Sequence, residues 1–451
     1  MNELGPRLVV AGTHSGVGKT TVATGLMAAF RARGVRVASA KVGPDYIDPG
    51  YHAVATGRPG RNLDAWMSGA DAVPALAGRA AADADLLLIE GVMGLFDGAA
   101  DATPSSTADV SRILDAPVVL VVDASSMSAS VAALAHGFAT FEPAVRLAGV
   151  ILNRVGSAGH EEMLRAALEP VGVPVLGVVH RDEALAWRDR HLGLVPVVER
   201  PAAVAAALDR LVTRIEAGCD LDAIARVAST APVMRVDEPP RPAAVASARV
   251  AVAAGAAFSF GYPDNLEALE AAGAEIVAFD PLEAGALPEG CDGLVAGGGF
   301  PEVYAPALAA NTPLLADLSA RIERGLVVWA ECGGLLWLAR RLDGRAMAGV
   351  IDADATMTDR LTLGYRSATT TAPSPVGPAG TTLRGHEFHY STVDPSGEAL
   401  DLAGRSGRAR AGFATPDLLA SYLHVHLGAS PGLAEAFVRA AARPSLTDDG
   451  V

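Results

Sequence analysis

The chain has 451 residues, half of them hydrophobic but only 5% aromatic, and a formal charge of −15. That acidity argues against non-specific nucleic-acid binding and against anionic membrane surfaces. No run approaches the roughly 18 uninterrupted apolar residues of a spanning helix, and the first residues lack a signal-peptide pattern. Cys219, Cys291 and Cys332 are too scattered for a disulfide framework or a spaced metal site, which fits a reducing cytoplasm.

The first predicted strand, Arg7–Gly12, runs into Thr13-His14-Ser15-Gly16-Val17-Gly18-Lys19-Thr20-Thr21 and then a helical pattern from Val22 to Arg33. Strand, glycine turn and helix N-terminus make a phosphate cradle, because backbone N–H groups and the helix dipole face the anion. Gly16, Val17, Gly18, Lys19, Thr20 and Thr21 are the ATP-binding candidates. Lys19 reaches the terminal phosphates and Thr20 holds Mg²⁺. Thr13 stands where the standard loop has glycine.

Further strands are predicted at Val35–Val42, Asp85–Gly91, Pro117–Asp123, Leu147–Asn153 and Pro174–Val179. Their apolar runs are mostly uninterrupted, as for parallel strands covered on both faces. The rhythm predicts a doubly wound α/β sheet with ligands outside the carboxyl ends of its strands. Candidates are therefore sought at those ends. Lys41–Pro49 carries Asp45 and Asp48, three residues apart and suited to Mg²⁺ near a triphosphate. Tyr46, Ile47 and Asp48, with Asp97 on the loop Val92–Gly98, are candidates to contact substrate during phosphoryl transfer. Glu90 is the acid at the end of a buried strand and joins Thr20 and Asp45 as a metal-side candidate. Asn153 has an amide able to read an adenine edge. Arg188 and His191 are basic candidates for substrate carboxylates. Taken singly, each has a plainer reading: an acidic turn, a connecting loop, a capping asparagine.

The rhythm breaks near Val227–Ser247, where Asp237-Glu238-Pro239-Pro240-Arg241-Pro242 reads as linker. The division expected is 1–225, a linker over 226–247, a second domain over 248–440 and a tail over 441–451. A second α/β rhythm starts at Arg249–Ala253, continues through Glu275–Phe279, Gly293–Ala296 and Leu326–Ala330, and gives way to a Thr-rich β-like segment over Met347–Val393. Gly404–Gly412 reads as a solvated basic loop. Gly297-Gly298-Gly299 follows one strand, and bare glycines let N–H groups approach a developing oxyanion. Glu331-Cys332-Gly333-Gly334 puts a lone cysteine on a strand-to-helix turn, which favours thiolate. Ser421-Tyr422-Leu423-His424-Val425-His426 supplies a histidine base. Cys219 and Cys291 read as inert.

These motifs, taken together and in order over essentially the whole chain, resemble the cobyrinic acid and hydrogenobyrinic acid a,c-diamide synthases. The variant phosphate loop is similar to those of dethiobiotin synthetases and partitioning ATPases. The resemblance implies a dethiobiotin-synthetase-like ATP-binding domain fused to a class I glutamine amidotransferase-like α/β domain. It implies ATP-dependent amidation of the a and c acetate side chains of a corrin macrocycle, with glutamine as nitrogen donor and Mg²⁺ as cofactor. Cys332 would attack glutamine and His424 would act as base. N–H groups near Gly298, Gly299 and Gly333 would hold the oxyanion. Acyl phosphates would form in the first domain and ammonia would displace phosphate.

In ordinary members of the amidotransferase class a glutamate lies two residues after the histidine. Here His426 stands there, so the pair is read as a dyad. His386, Glu387 and His389 in Arg384–Tyr390 belong to the same resemblance, either lining a domain interface or packing. Related alternatives are cobyric acid synthase, which typically lacks the Lys41–Pro49 motif, and nickel-sirohydrochlorin a,c-diamide synthase. A partitioning-type ATPase switch would need no Cys332 and usually carries lysine in place of His14. No nucleic acid or membrane partner is expected, the location expected is cytoplasmic, and a homodimer stays open.

Overall fold

The computed structural model describes residues 2–99, 103–182, 189–190, 193–194, 197–199, 201–405 and 407–443. The chain forms two compact units, Met1–Pro239 and Pro240–Val451.

The first unit is built on seven strands: β1 (Arg7–Gly12), β2 (Val37–Val42), β3 (Arg61–Leu63), β4 (Leu86–Glu90), β5 (Val118–Asp123), β6 (Leu147–Val155) and β7 (Val175–His180). They lie in the order β3-β2-β4-β1-β5-β6-β7, all parallel. Every residue of β1, β2 and β4 is buried. Successive side chains enter opposite cores. Val9, Ala11, Ile89 and Leu120 join one; Leu8, Val10, Leu88 and Val121 join the other, with Val22 and Leu26 of helix α1 (Lys19–Ala32). Burial on both faces is why these strands read as continuous apolar runs. The three-residue β3 has no such run and escapes the pattern. Helix α1 begins three residues before the apolar pattern does, since its first turn is polar. The order reverses beside β1, and doubly wound sheets bind ligands at such a switch point.

The sequence places the linker over 226–247, but residues up to Val236 are ordered parts of the first unit. Leu221–Ala228 is helical, and Met234–Val236 pairs antiparallel with Asn2–Leu4. The change of unit falls between Pro239 and Pro240, inside the proline-rich stretch.

The second unit carries β8 (Ala248–Ala253), β9 (Ala274–Phe279), β10 (Gly293–Ala296), β11 (Val327–Glu331), β12 (Ile351–Thr370), β13 (Thr382–Asp394), β14 (Phe413–Thr415), β15 (Leu418–Ser421) and β16 (His424–Val425). One sheet runs β9-β8-β10-β11-β15-β14, parallel except for the edge strand β14. The Thr-rich segment is the long antiparallel pair β12 and β13 of a second sheet. Strand β16 extends that sheet, setting Gly385 opposite Val425 and His386 opposite His424. The chain thus leaves one sheet at Ser421 and enters the other at His424. Within the stretch expected as a loop, Gly407–Ala411 instead pairs with Leu400–Gly404 in a hairpin whose Leu400 and Leu402 are buried. Among the described residues no helix is long and apolar enough to cross a membrane.

Candidate functional site

In the first unit the phosphate loop turns through Gly16 at φ 83° and Gly18 at φ 92°, values that only glycine adopts without strain. Helix α1 starts at Lys19 with no side-chain cap and no acidic residue in its first turn. Its N-terminal N–H groups therefore keep their call for an anion. The Lys19 ammonium folds back and donates to the His14 carbonyl at 3.0 Å. Burial, then the nearby Lys41 charge, lower its pKa to about 8, against the pull of Glu90, Asp48 and Asp97.

Behind the loop lies a buried charge network. The Thr20 hydroxyl donates to Glu90 Oε1 at 2.7 Å and lies 3.2 Å from Asp48 Oδ2. Lys41 Nζ sits 2.7 Å from Asp48 Oδ2 and 2.9 Å from Glu90 Oε1, and also donates to the Gly91 carbonyl. His52 Nε2 contacts Glu90 Oε2 at 2.6 Å, with both side chains fully buried. Burial raises the Asp48 pKa, and the charge of Asp45 adds to it against Lys41. Burial would raise Glu90 too, but Lys41, His52 and Thr20 outweigh it and hold Glu90 ionised. Burial opposes the charge on Lys41, and Asp48, Glu90 and Asp45 overcome it.

Asp45 was expected beside Thr20 and Glu90, and the structure puts Asp48 there instead. Asp45 Oδ1 caps its own turn, accepting from the Ile47 and Asp48 N–H groups at 2.8 Å each. The physical reason is the turn after Gly43, which needs an acceptor for two N–H groups entering helix α2 (Asp48–Thr56). Tyr46 is half-buried and Ile47 is buried. Asp97 is exposed, and its Oδ2 accepts from Gly94 N at 2.9 Å. That loop crosses the phosphate loop, since Leu95 N donates to the Gly12 carbonyl at 2.9 Å. Asn153 lies against Gly18 and donates to the Val17 carbonyl at 2.8 Å, while its oxygen accepts from Arg154 N. Its amide braces the loop. Arg188 and His191 lie outside the described residues. Lys41 and His52 were given no role by sequence. Their only signals are Lys41 at a strand end and His52 one helical turn after Asp48.

Among the described residues no group of three or more His, Cys, Asp or Glu side chains is placed to hold a metal ion. Thr20 beside two carboxylates is nevertheless a hard-oxygen donor set of the kind that shares Mg²⁺ with a nucleotide's phosphates.

In the second unit Cys332 directly follows β11 and precedes the short helix Gly333–Leu338, with φ 49° and ψ −98°. A non-glycine residue at positive φ is strained, and such strain gathers at functional turns. The thiol is in side-chain contact with His424, and His424 Nδ1 lies 3.4 Å from Glu331 Oε2. Burial alone would lower the His424 pKa; Cys332 and Glu331 instead raise it to about 10. The glycines are required by close approach. A Cβ on Gly298 would sit 2.6 Å from His424 Cε1, and one on Gly333 3.1 Å from Gly299 N. The Gly298–Gly299 turn therefore packs directly on the cysteine elbow.

His426 turns away, with Nε2 3.8 Å from Asp264 Oδ2 and its ring edge-on to Tyr262. His386 lies 5.1 Å ring to ring from His424, and His389 stacks on Tyr422 at 3.6 Å. Burial lowers both of these histidines, His389 to about 4. Glu387 pairs with Arg366 at 2.7 Å. Cys219 has no such neighbours, and burial pushes its thiol up to about 12.

Comparison with known proteins covers both units. The family model of the CobQ/CobB/MinD/ParA nucleotide binding domain matches residues 8–195, and that of the CobB/CobQ-like glutamine amidotransferase domain matches residues 249–432. The hydrogenobyrinate a,c-diamide synthase of Streptomyces coelicolor is 50% identical over 96% of this chain and 97% of its own. That of Thermobifida fusca is 48% identical over 96% of each chain. The cobyrinate a,c-diamide synthase of a Synechococcus species is 41% identical over 96% of this chain and 98% of its own.

Proposed function

The chain belongs to the hydrogenobyrinate and cobyrinate a,c-diamide synthase family, and from that premise we propose that it performs ATP-dependent, glutamine-hydrolysing amidation of the a and c acetate carboxylates of a corrin precursor in cobalamin biosynthesis. One observation carries the reading: a single chain holds both an uncapped phosphate-loop helix backed by acids and a strained cysteine in contact with a buried imidazole. The relatives favour the cobalt-free hydrogenobyrinic acid, at 50% and 48% identity against 41%. The first unit is the synthetase and the second the amidotransferase.

In the second unit the Cys332 thiol gives its proton to His424 and attacks the glutamine amide carbon. N–H groups at Gly298, Gly299 and Gly333 receive the oxyanion. Protonated His424 returns the proton to nitrogen, the C–N bond breaks, and ammonia leaves a glutamyl thioester that water hydrolyses. In the first unit the α1 N-terminus and Lys19 hold the phosphates of ATP, and a substrate acetate oxygen attacks the γ-phosphorus. ADP departs to leave an acyl phosphate; ammonia attacks its acyl carbon, the carbon–oxygen bond to phosphate breaks, and inorganic phosphate and a proton are released with the amide. Mg²⁺, held by Thr20 with Glu90 and Asp48, would neutralise phosphate charge. Asp45 shapes the turn that delivers Asp48. Asn153 keeps the loop in register and has a second amide proton for the base. ATP and glutamine are cytoplasmic reagents, and three free thiols agree with that compartment.

The test is mass spectrometry of products from hydrogenobyrinic and cobyrinic acids with ATP, Mg²⁺ and glutamine. Two successive acid-to-amide conversions are expected. Glutamine hydrolysis with no amide on either ring would sink the proposal.

A further inference from the structure

His424 has no acid two residues downstream, because that position is His426, which faces Asp264 instead. An imidazole that takes a thiol proton needs a third group at its other nitrogen to fix tautomer and orientation. We infer that Glu331, the residue immediately before the reactive cysteine, is the carboxylate that positions His424.

The geometry is specific. Glu331 Oε2 lies 3.4 Å from His424 Nδ1, an ion-pair distance that leaves Nε2 for the Cys332 side. Glu331 Oε1 accepts from the Val425 N–H at 3.2 Å, so the carboxylate grips both the side chain of His424 and the backbone after it. Glu331 is 8% exposed and His424 1%, so little solvent screens the pair. Of the other polar groups near His424, His386 is an imidazole that lies ring to ring with it, and Glu387 is paired with Arg366. Strand β11 thus delivers nucleophile and orienting acid as consecutive residues, where the downstream acid would have come from a different segment. When the thiol proton reaches Nε2, Glu331 faces the Nδ1–H of the resulting imidazolium, and no proton moves to the carboxylate.

The inference rests on the amidotransferase reading, and the experiment separates the two. In the full-length enzyme Glu331→Gln keeps an oxygen for Val425 N–H but loses the charge. The kcat for glutamine-dependent synthesis should fall about a hundredfold while the glutamine KM stays within about threefold, as for loss of a group acting in the transition state. Synthesis from ammonium should not change. Glu331→Asp should recover at least about tenfold of the lost kcat. Glutamine-dependent turnover of Glu331→Gln within about threefold of the parent would overturn the inference. So would equal loss in the Asp and Gln variants at equal thermal stability, which also covers a purely structural defect. A parent enzyme with no glutamine-dependent turnover would instead overturn the amidotransferase reading.

Discussion

Both units place their polar groups at the carboxyl ends of parallel strands, yet they handle buried charge in opposite ways. The first unit gathers full charges: Lys41 lies within 3 Å of both Glu90 and Asp48, with His52 against Glu90. The second sets one imidazole, His424, against its cysteine with further histidines behind it, and burial favours neutral His386 and His389 while His424 is driven up. The difference follows from the chemistry each supports. Phosphoryl transfer needs fixed charge facing a polyanion. Thioester formation needs a proton that moves both ways, and imidazole is the side chain suited to that.

The sharpest way to break the comparison is to silence one unit and ask what the other retains. Cys332→Ala removes the nucleophile. Glutamine-dependent synthesis should drop at least about a thousandfold, while synthesis at high ammonium persists near parental rate. Equal loss with both donors would mean that the cysteine is structural.

Lys19→Ala is the converse and should be the next largest effect. It removes the cation beside the phosphates, so synthesis falls about a hundredfold or more with either donor. Cys332 should still be labelled by a glutamine-directed alkylating analogue. Full ammonium-dependent activity in this variant would contradict the phosphate-site assignment.

How far this contrast was legible in sequence depends on how local each feature is. The phosphate loop and the Cys-Gly-Gly turn are contiguous strings, and the core strands announce themselves because both faces are buried. Partners distant in sequence did not show. Lys41 meets Glu90 across 49 residues and His52 meets it across 38. Glu331 was read only as flanking the cysteine, because its partner segment is 94 residues away. The end of the first unit was misplaced because Met234–Val236 is fixed by partners distant in sequence: it pairs with Asn2–Leu4, and Val236 enters the first unit's core. Asp45 was set beside Thr20 since spacing alone does not show which of two acids caps a turn.

A smaller effect, on stability, sharpens the claim that the first unit stores charge. Lys41→Met strands two buried carboxylates beside each other. Breaking a buried ion pair from one side costs roughly 3–5 kcal/mol, which lowers the unfolding midpoint by on the order of 10 °C. Lys41→Met combined with Glu90→Gln should cost less than the sum of the single changes, because the stranded charge is gone. Strict additivity in calorimetry would show that the network is not coupled.

The smallest effect should appear in the pH dependence of the second unit. His424 is raised from its ordinary 6.5 to about 10, so the folded state binds its proton more tightly than the unfolded chain does. Its stabilisation is complete below about pH 6.5 and is withdrawn as pH rises toward 10. His389 is lowered to about 4, so its contribution is present above 6.5 and is lost as pH falls toward 4. The two act in adjacent windows, each with a slope of at most roughly 1.4 kcal/mol per pH unit. The unfolding midpoint of this unit should therefore peak near neutrality and fall on both sides. His424→Asn should flatten the alkaline side and leave the acid side in place, because only the first window belongs to that ring. His389→Gln should leave the alkaline side in place and make the acid side shallower without abolishing it, because burial lowers His386 in the same direction. Scanning calorimetry of the full chain across pH 5 to 10 reads both. An alkaline slope unchanged in His424→Asn would show that the imidazole does not hold its proton in the fold, and would remove the electrostatic half of the contrast drawn between the two units.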